Sequence, residues 1–190
     1  MNKQGKLIIF SAPSGSGKTT IVKQLLTRYP QFEFSISATS RAPRGVEQHG
    51  IDYYFLTQEE FAARVAEDAF VEWDEVYAGT SYGTLKSEVE RIWAKDHVIL
   101  FDVDVLGGIN LKKFFGENAC SIFIMPPSIE ELRRRLEGRG TDAPEAIERR
   151  VAKAAFEIEQ APHFDHRVIN DSLEAAVGET CALLDDFLKR

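Results

Sequence analysis

Residues 7–26 constrain this chain more than any other stretch. An apolar run, Leu7-Ile8-Ile9-Phe10, leads into Ala12-Pro13-Ser14-Gly15-Ser16-Gly17-Lys18-Thr19, after which Ile21, Val22, Leu25 and Leu26 recur at helical spacing. Strand, glycine-rich loop, helix is the context of a Walker A phosphate loop. In such a loop the backbone N–H groups converge on phosphate oxygens, and the helix N-terminus adds a favourable dipole. Lys18 reaches the β- and γ-phosphates, and the Thr19 hydroxyl is placed to ligate Mg²⁺. Ala12 stands where the first glycine is usual, a position alanine can hold while its φ stays negative.

The chain has 190 residues, enough for one large domain or a core with insertions. It is 44% hydrophobic and 28% charged, ordinary for a soluble protein, with a formal net charge of −7. That charge argues against general binding to nucleic acid or anionic membranes. Any anion site must therefore gather its positive charge locally. Cys120 and Cys181 lack CxxC spacing and suggest no disulfide framework. No signal peptide and no apolar run of membrane-spanning length is evident, so a cytoplasmic location is expected.

Five apolar runs read as buried parallel strands: Leu7–Phe10, Phe34–Ile36, Val98–Val103, Ser121–Met125 and Arg167–Ile169. Helical patterns lie between most of them. Ser128-Ile129-Glu130-Glu131 predicts a capping box, and Asp142-Ala143-Pro144-Glu145 opens a helix running to about Gln160. A last helix is expected from about Ser172 to Leu188. The alternation predicts a doubly wound α/β fold with a parallel five-stranded sheet covered by helices on both faces. Residues 37–84 break it. This polar and aromatic stretch holds strand-like Tyr53–Leu56 and Phe70–Val76, with a short helix capped by Thr57 and Glu60 between them. It is expected to be an inserted mixed α/β lobe on a core of residues 1–36 and 85–190. A second interruption around Gly138–Ala143 suggests a short lid over 138–148, with Gly138 and Gly140 free in φ.

Within the lobe, Arg41 and Arg44 flank Pro43, which stiffens the turn. Two guanidinium forks can hold a phosphate from both sides, and Tyr53 and Tyr82 could each donate a phenolic O–H to the same anion. On these residues alone a solvated basic loop is an equal reading.

The chain resembles guanylate kinase, a P-loop nucleoside monophosphate kinase, along nearly its whole length. The resemblance rests on the phosphate loop, Ser37 through Arg44, Gly50-Ile51-Asp52-Tyr53, Val71-Glu72-Trp73, Tyr82-Gly83-Thr84, Asp102-Val103-Asp104, Arg135 through Thr141, and Ile169-Asn170-Asp171. It implies transfer of a phosphoryl group from ATP to GMP, giving ADP and GDP, with Mg²⁺ on the ATP. Arg41, Arg44, Tyr53 and Tyr82 would hold the GMP phosphate, and Ser37, Glu72, Thr84 and Asp104 would read guanine. Residues Ala12 to Thr20 and Asn170 would bind ATP. Lys18, Arg139 and Arg150 would stabilise charge on the transferred phosphoryl. GMP or dGMP and ATP are then the partners, with no nucleic acid or membrane, and the chain is a monomer or homodimer.

Elementary chemistry agrees. Guanine offers adjacent donors, N1–H and the N2 amino group, and a carboxylate at Glu72 accepts both, whereas adenine N1 would face it lone pair to lone pair. Hydroxyls at Ser37 and Thr84 can donate to guanine's acceptor edge. Asp102 and Asp104 stand two apart at a strand's carboxyl end, so both are expected on one face, Asp102 toward Mg²⁺ through water and Asp104 toward guanine. The attacking GMP oxygen is already anionic, so no general base is needed. Arg133 and Arg134 read equally as solvated helix residues. Thr84 replaces a common serine, and Leu106 a common glutamine. A kinase acting on ribose phosphates and a non-catalytic phosphopeptide-binding module are the rival readings. Glu72 with Ser37 and Thr84 argues against the first, the intact Gly17-Lys18-Thr19 and the lid arginines against the second.

Overall fold

The computed structural model describes residues 5–138, 140 and 143–190. Its larger sheet is built from Leu7–Ser11 (β1), Phe32–Phe34 (β2), Val98–Asp102 (β7), Ala119–Met125 (β8) and His166–Ile169 (β9), in the order β2-β7-β1-β8-β9. Every neighbouring pair is parallel. β1 lies at the centre and all five of its residues are buried, as its unbroken apolar text requires.

Helices cover both faces. On one side Lys18–Arg28 (α1) and Leu173–Lys189 (α7) bury Ile21, Val22, Leu25, Cys181, Leu184 and Phe187 against Ile8, Phe10 and Ile122. On the other, Lys86–Trp93 (α3) and Val105–Phe115 (α4) bury Val89, Ile92, Leu111 and Phe115 against Leu7, Ile9 and Phe101. Ile129–Glu137 (α5) and Pro144–Glu159 (α6) pack on each other through Leu132, Leu136, Ile147 and Val151.

Two expectations shift. The strand expected over Phe34–Ile36 is Phe32–Phe34, because Phe32 pairs with Val98 and the ladder ends at Phe34 opposite Leu100. At α5 only half of the capping box forms. Ser128 accepts from the Glu131 N–H, but the Glu131 carboxylate turns to Arg134 and Arg135. The box at Gln58–Ala66 (α2) is complete, with Thr57 and Glu60 reciprocal. Asp142 and Arg139 lie outside the described residues.

A second, smaller sheet comprises Ala38–Thr39 (β3), Tyr54–Phe55 (β4), Phe70–Tyr77 (β5) and Thr80–Leu85 (β6), in the order β4-β3-β6-β5. With α2 it buries its own cluster of Ala38, Leu56, Phe61, Phe70 and Leu85. β3 and β6 were not expected as strands. β3 has two residues, and β6 carries the polar text Thr80-Ser81-Tyr82-Gly83. The smaller sheet joins the larger after β2 and again where β6 runs into α3.

Close approach of α4 to β1 sets the carboxyl edge of the larger sheet. A Cβ on Gly108 would lie 2.8 Å from Ser11 Oγ and 3.1 Å from the Phe164 ring. Ser11 Oγ in turn donates to the carbonyls of Val103 and Asp104, 3.0 Å each. Gly→Ala inside a helix ordinarily stabilises by about 1 kcal/mol. Here overpacking reverses the sign, and Gly108→Ala is expected to destabilise by about 1–3 kcal/mol, read as a lower urea midpoint at unchanged slope.

Candidate active site

The phosphate loop forms one wall of a cavity of about 380 Å³ at the carboxyl end of β1. Gly15 and Gly17 carry φ of 98° and 89°, which glycine adopts without strain, while Ala12 keeps a negative φ. α1 begins at Lys18, so its N-terminus opens on the cavity. Ala12, Lys18, Thr19 and Thr20 line it, with Asp102 and Asp104 opposite. Lys18 Nζ meets the Asp102 carboxylate directly. Arg150 Nη1 donates to Ser14 Oγ at 3.0 Å, which carries α6 to the loop's tip. Ser16 and Asn170 stand behind the loop. Asn170 is 6% exposed, and its Nδ2 donates to the Ser16 carbonyl at 2.7 Å. Asn170 is itself held by Arg135, whose Nη2 donates to its carbonyl at 2.9 Å. Glu157 of α6, not anticipated from sequence, also lines the cavity, and burial pushes its carboxyl up.

A second cavity of about 300 Å³ opens between β5, β6 and the start of α4. Ser37, Tyr53, Glu72, Tyr82 and Asp104 all line it. It shares Asp102, Val103 and Asp104 with the first, so the two cavities adjoin. Asp102 and Asp104 do not share a strand face, however. β7 ends at Asp102, and Asp104 is the N-cap of α4, its Oδ1 accepting from the Gly107 N–H at 2.8 Å.

Glu72 is the electrostatic outlier. Burial pushes its carboxyl up to about 7, and the like charges of Asp104 and Asp74 add to this. Thr84 Oγ1 donates to Glu72 Oε1 at 2.8 Å and pulls the other way. Thr84 is fully buried opposite Glu72 in the β5–β6 ladder, so its hydroxyl proton goes to Glu72. Asp74, two residues along the same strand, lines the cavity too and was not anticipated. The i, i+2 spacing on β5 was the available signal.

Arg41 is already engaged. Its Nη1 and Nη2 donate to the two oxygens of Glu47 at 2.7 and 2.9 Å, and its Nε to Tyr82 Oη at 3.1 Å. The guanidinium lies over the Tyr53 ring, 4.9 Å from its centroid. Glu47 also accepts from the Arg44 N–H at 2.7 Å, and Arg41 with that N–H holds its carboxyl down at about 2. Arg44 joins this cluster by hydrogen bond through its backbone, and its exposed side chain adds a positive charge near Glu47. Sequence reading missed Glu47. An acid six residues beyond Arg41 across a proline turn was the signal. Arg133 and Arg134, by contrast, pair with Glu148 and Glu131 on the helix surface.

The family model for guanylate kinase matches residues 4–189. A guanylate kinase of Bacteroides thetaiotaomicron is 58% identical over 98% of this chain and 91% of its own length. One of Porphyromonas gingivalis is 54% identical, covering 97% of this chain and 99% of its own length. The crystal structure of guanylate kinase from Anaplasma phagocytophilum superposes with a TM-score of 0.72 at 31% identity, over 96% of this chain and 85% of that one.

The Glu72 carboxyl generates a stability prediction. Its folded-state value near 7 lies above the ordinary 4.5, so between those values the folded state binds more protons than the unfolded state. Stability contributed by Glu72 is therefore present at low pH and lost as pH rises through 7. Glu72→Gln, which never ionises, is expected to match wild type near pH 4.5 and to exceed it by about 1–3 kcal/mol above pH 8, in urea unfolding at both pH values.

Proposed function

Because the chain belongs to the guanylate kinase family and is an enzyme that uses ATP to phosphorylate GMP to GDP, we propose that its two adjoining cavities divide the substrates, ATP phosphates at the loop and GMP at the smaller sheet. The observation that carries this division is Glu72, a half-buried carboxylate served by the hydroxyl and main chain of Thr84, facing a cavity that shares its Asp102–Asp104 wall with the phosphate loop. A ligand with two adjacent donors, as guanine has, supplies what that carboxylate lacks.

In this reading the loop N–H groups and Lys18 take the β- and γ-phosphates, with Ala12 to Thr20 around them. Asn170 acts on ATP through the loop, by fixing the Ser16 carbonyl. Arg150 is poised at Ser14, and Arg139, through the resemblance, joins it on the phosphoryl. The Thr19 hydroxyl and the Asp102 carboxylate are hard oxygen donors lining one cavity, and they fit Mg²⁺, with Asp102 acting through water. When bound, the ion would neutralise charge on the ATP phosphates. Tyr53, Tyr82, Arg41 and Arg44 take the GMP phosphate, which competes with Glu47 for the Arg41 fork. Ser37 and Asp104 face guanine beside Glu72, and Thr84 acts through Glu72 by orienting its carboxylate. Residues 37–84 form the GMP lobe, residues 1–36 and 85–190 the core, and 138–148 a lid. With the attacking oxygen already anionic, no side chain has to remove a proton, and catalysis is alignment with charge neutralisation.

dGMP is a second acceptor in this reading. The −7 charge speaks against nucleic acid as a partner. Two free, buried cysteines suit the cytoplasm, with the chain acting as a monomer or homodimer.

ADP release with GMP, dGMP, AMP and ribose phosphates as acceptors tests the reading. GMP is expected to be strongly preferred to AMP and ribose phosphates, and equal use of AMP would refute guanine reading. Lys18→Met should abolish turnover with the unfolding midpoint unchanged; near-normal kcat would remove the loop from the reaction. Glu72→Gln should lower kcat/KM for GMP by the equivalent of about 1–3 kcal/mol and narrow the gap to AMP. In wild type kcat/KM for GMP should also rise with pH through about 7, as the Glu72 carboxylate forms, and that rise should be missing from Glu72→Gln. A rise of equal size in both would assign it to another group.

A further inference from the structure

Glu88, at the start of α3, lies outside both cavities, and its side chain has no solvent exposure. A carboxylate offers about four acceptor sites. Here Oε1 accepts from the Ile36 N–H at 2.9 Å and from Arg91 Nη2 at 2.8 Å, and Oε2 from Tyr54 Oη and Arg91 Nε, both at 2.8 Å. Arg91 continues the chain of contacts, its Nη1 donating to Glu33 on β2 at 2.6 Å.

These partners fall on both sides of the junction between the two sheets. Ser35 N donates to Leu100 O in the larger sheet, whereas Tyr54 N donates to Ser37 O in the smaller one. Ile36 is thus the residue at which the chain leaves the core. On the return path Lys86 N still bonds to Ala69 O beside the smaller sheet, and Val89 is already buried with Leu7 and Phe101 under the larger. Glu88 lies between those points. One carboxylate therefore holds the outgoing crossing through Ile36, the returning crossing through its own backbone, and the edge strand β4 through Tyr54.

We propose that Glu88 is a positioning residue for GMP. It pins both crossings and β4 to one buried point, and so fixes the axis on which the lobe turns toward the phosphate loop. The proposal rests on the reading of residues 37–84 as the GMP lobe. Its physical ground is that buried ion pairs are poor stabilisers compared with apolar packing but admit few geometries. Two crossings tied to one point leave a single rotation, and Arg41 and Glu72 then arrive over the acceptor in one alignment. Untied, each crossing bends independently, and the lobe samples orientations in which the GMP phosphate and base are not held together.

The test uses Tyr54→Phe, which removes one hydroxyl, and Glu88→Gln, which brings amide hydrogens among converging donors. Cysteines for fluorescent labels replace exposed Glu67, just after α2, and Glu174 on α7, the two native thiols being buried. Steady-state kinetics and single-molecule energy transfer are recorded with and without GMP. Wild type is expected to show one narrow distance distribution that shortens with GMP. Tyr54→Phe should broaden that distribution and raise the KM for GMP about five- to tenfold, with the KM for ATP within about twofold. Glu88→Gln should exceed both effects; if it fails to fold, Tyr54→Phe decides alone. A part that only stabilises the fold would lower the melting temperature and leave the two KM values in their original ratio. A narrow distribution with an unchanged KM for GMP in Tyr54→Phe overturns the proposal. A wild-type distance that GMP leaves unmoved also overturns it, by removing the hinge, and the GMP-over-AMP preference of Glu72→Gln, which depends on the two-cavity reading and not on the hinge, separates that result from failure of that reading.

Discussion

Lys18 meets Asp102 because β1 and β7 are parallel neighbours with Phe10 opposite Asp102, so the loop after one strand and the last residue of the other reach the same edge. The rest of the site hangs on that register. It sets the N-terminus of α1 over the cavity. It also makes the next residues, Val103 and Asp104, the wall that both cavities share. As an exposed ion pair, Lys18–Asp102 adds little to stability. Its significance is that a cation and a carboxylate stand together where phosphate and metal chemistry must occur, backed by a sheet whose apolar strands are covered on both faces.

The proposed GMP side depends on two charges with opposite histories. Arg41 is already engaged before any ligand arrives, its fork on Glu47 and the Ala42 carbonyl and its Nε on Tyr82. A phosphate must displace one carboxylate there, and the guanidinium geometry is already set for it. Glu72 is undersatisfied, served by the hydroxyl and main chain of Thr84 and with two like charges near it. Burial without a full set of donors raises the free energy of its charged form. Guanine relieves this by supplying donors, and adenine at the same edge does not. Selectivity in this account comes from what the empty cavity leaves unpaired.

Much of this was legible in the sequence because the physics was local. Leu7–Phe10 and Ser121–Met125 read as strands since a strand covered on both faces needs apolar residues throughout. The Thr57/Glu60 box and the proline at the start of α6 announced their helices. Where the text failed, the determinant was tertiary. β6 has polar residues because one of its faces lines a cavity, and β3 is too short for any periodicity. Asp104 was placed on a strand face since nothing in Asp102-Val103-Asp104 shows that the strand stops and a helix cap begins. The residues read for the GMP phosphate were seen as ligands, and Glu47, their counter-ion, was overlooked. For Glu88 the sequence offered only an ordinary i,i+3 pairing with Arg91, because the partners that place it at the junction, Ile36 and Tyr54, lie 52 and 34 residues away.

The central claim is that the Glu72 carboxylate reads guanine. Carbon-13 NMR of glutamate side-chain carboxyls, with the Glu72 signal assigned through its loss in Glu72→Gln, measures it directly. The account predicts a midpoint near 7 in the free protein and a clear fall from that value with GMP bound, as two N–H donors come to favour the charged form. A midpoint unmoved by saturating GMP would contradict it.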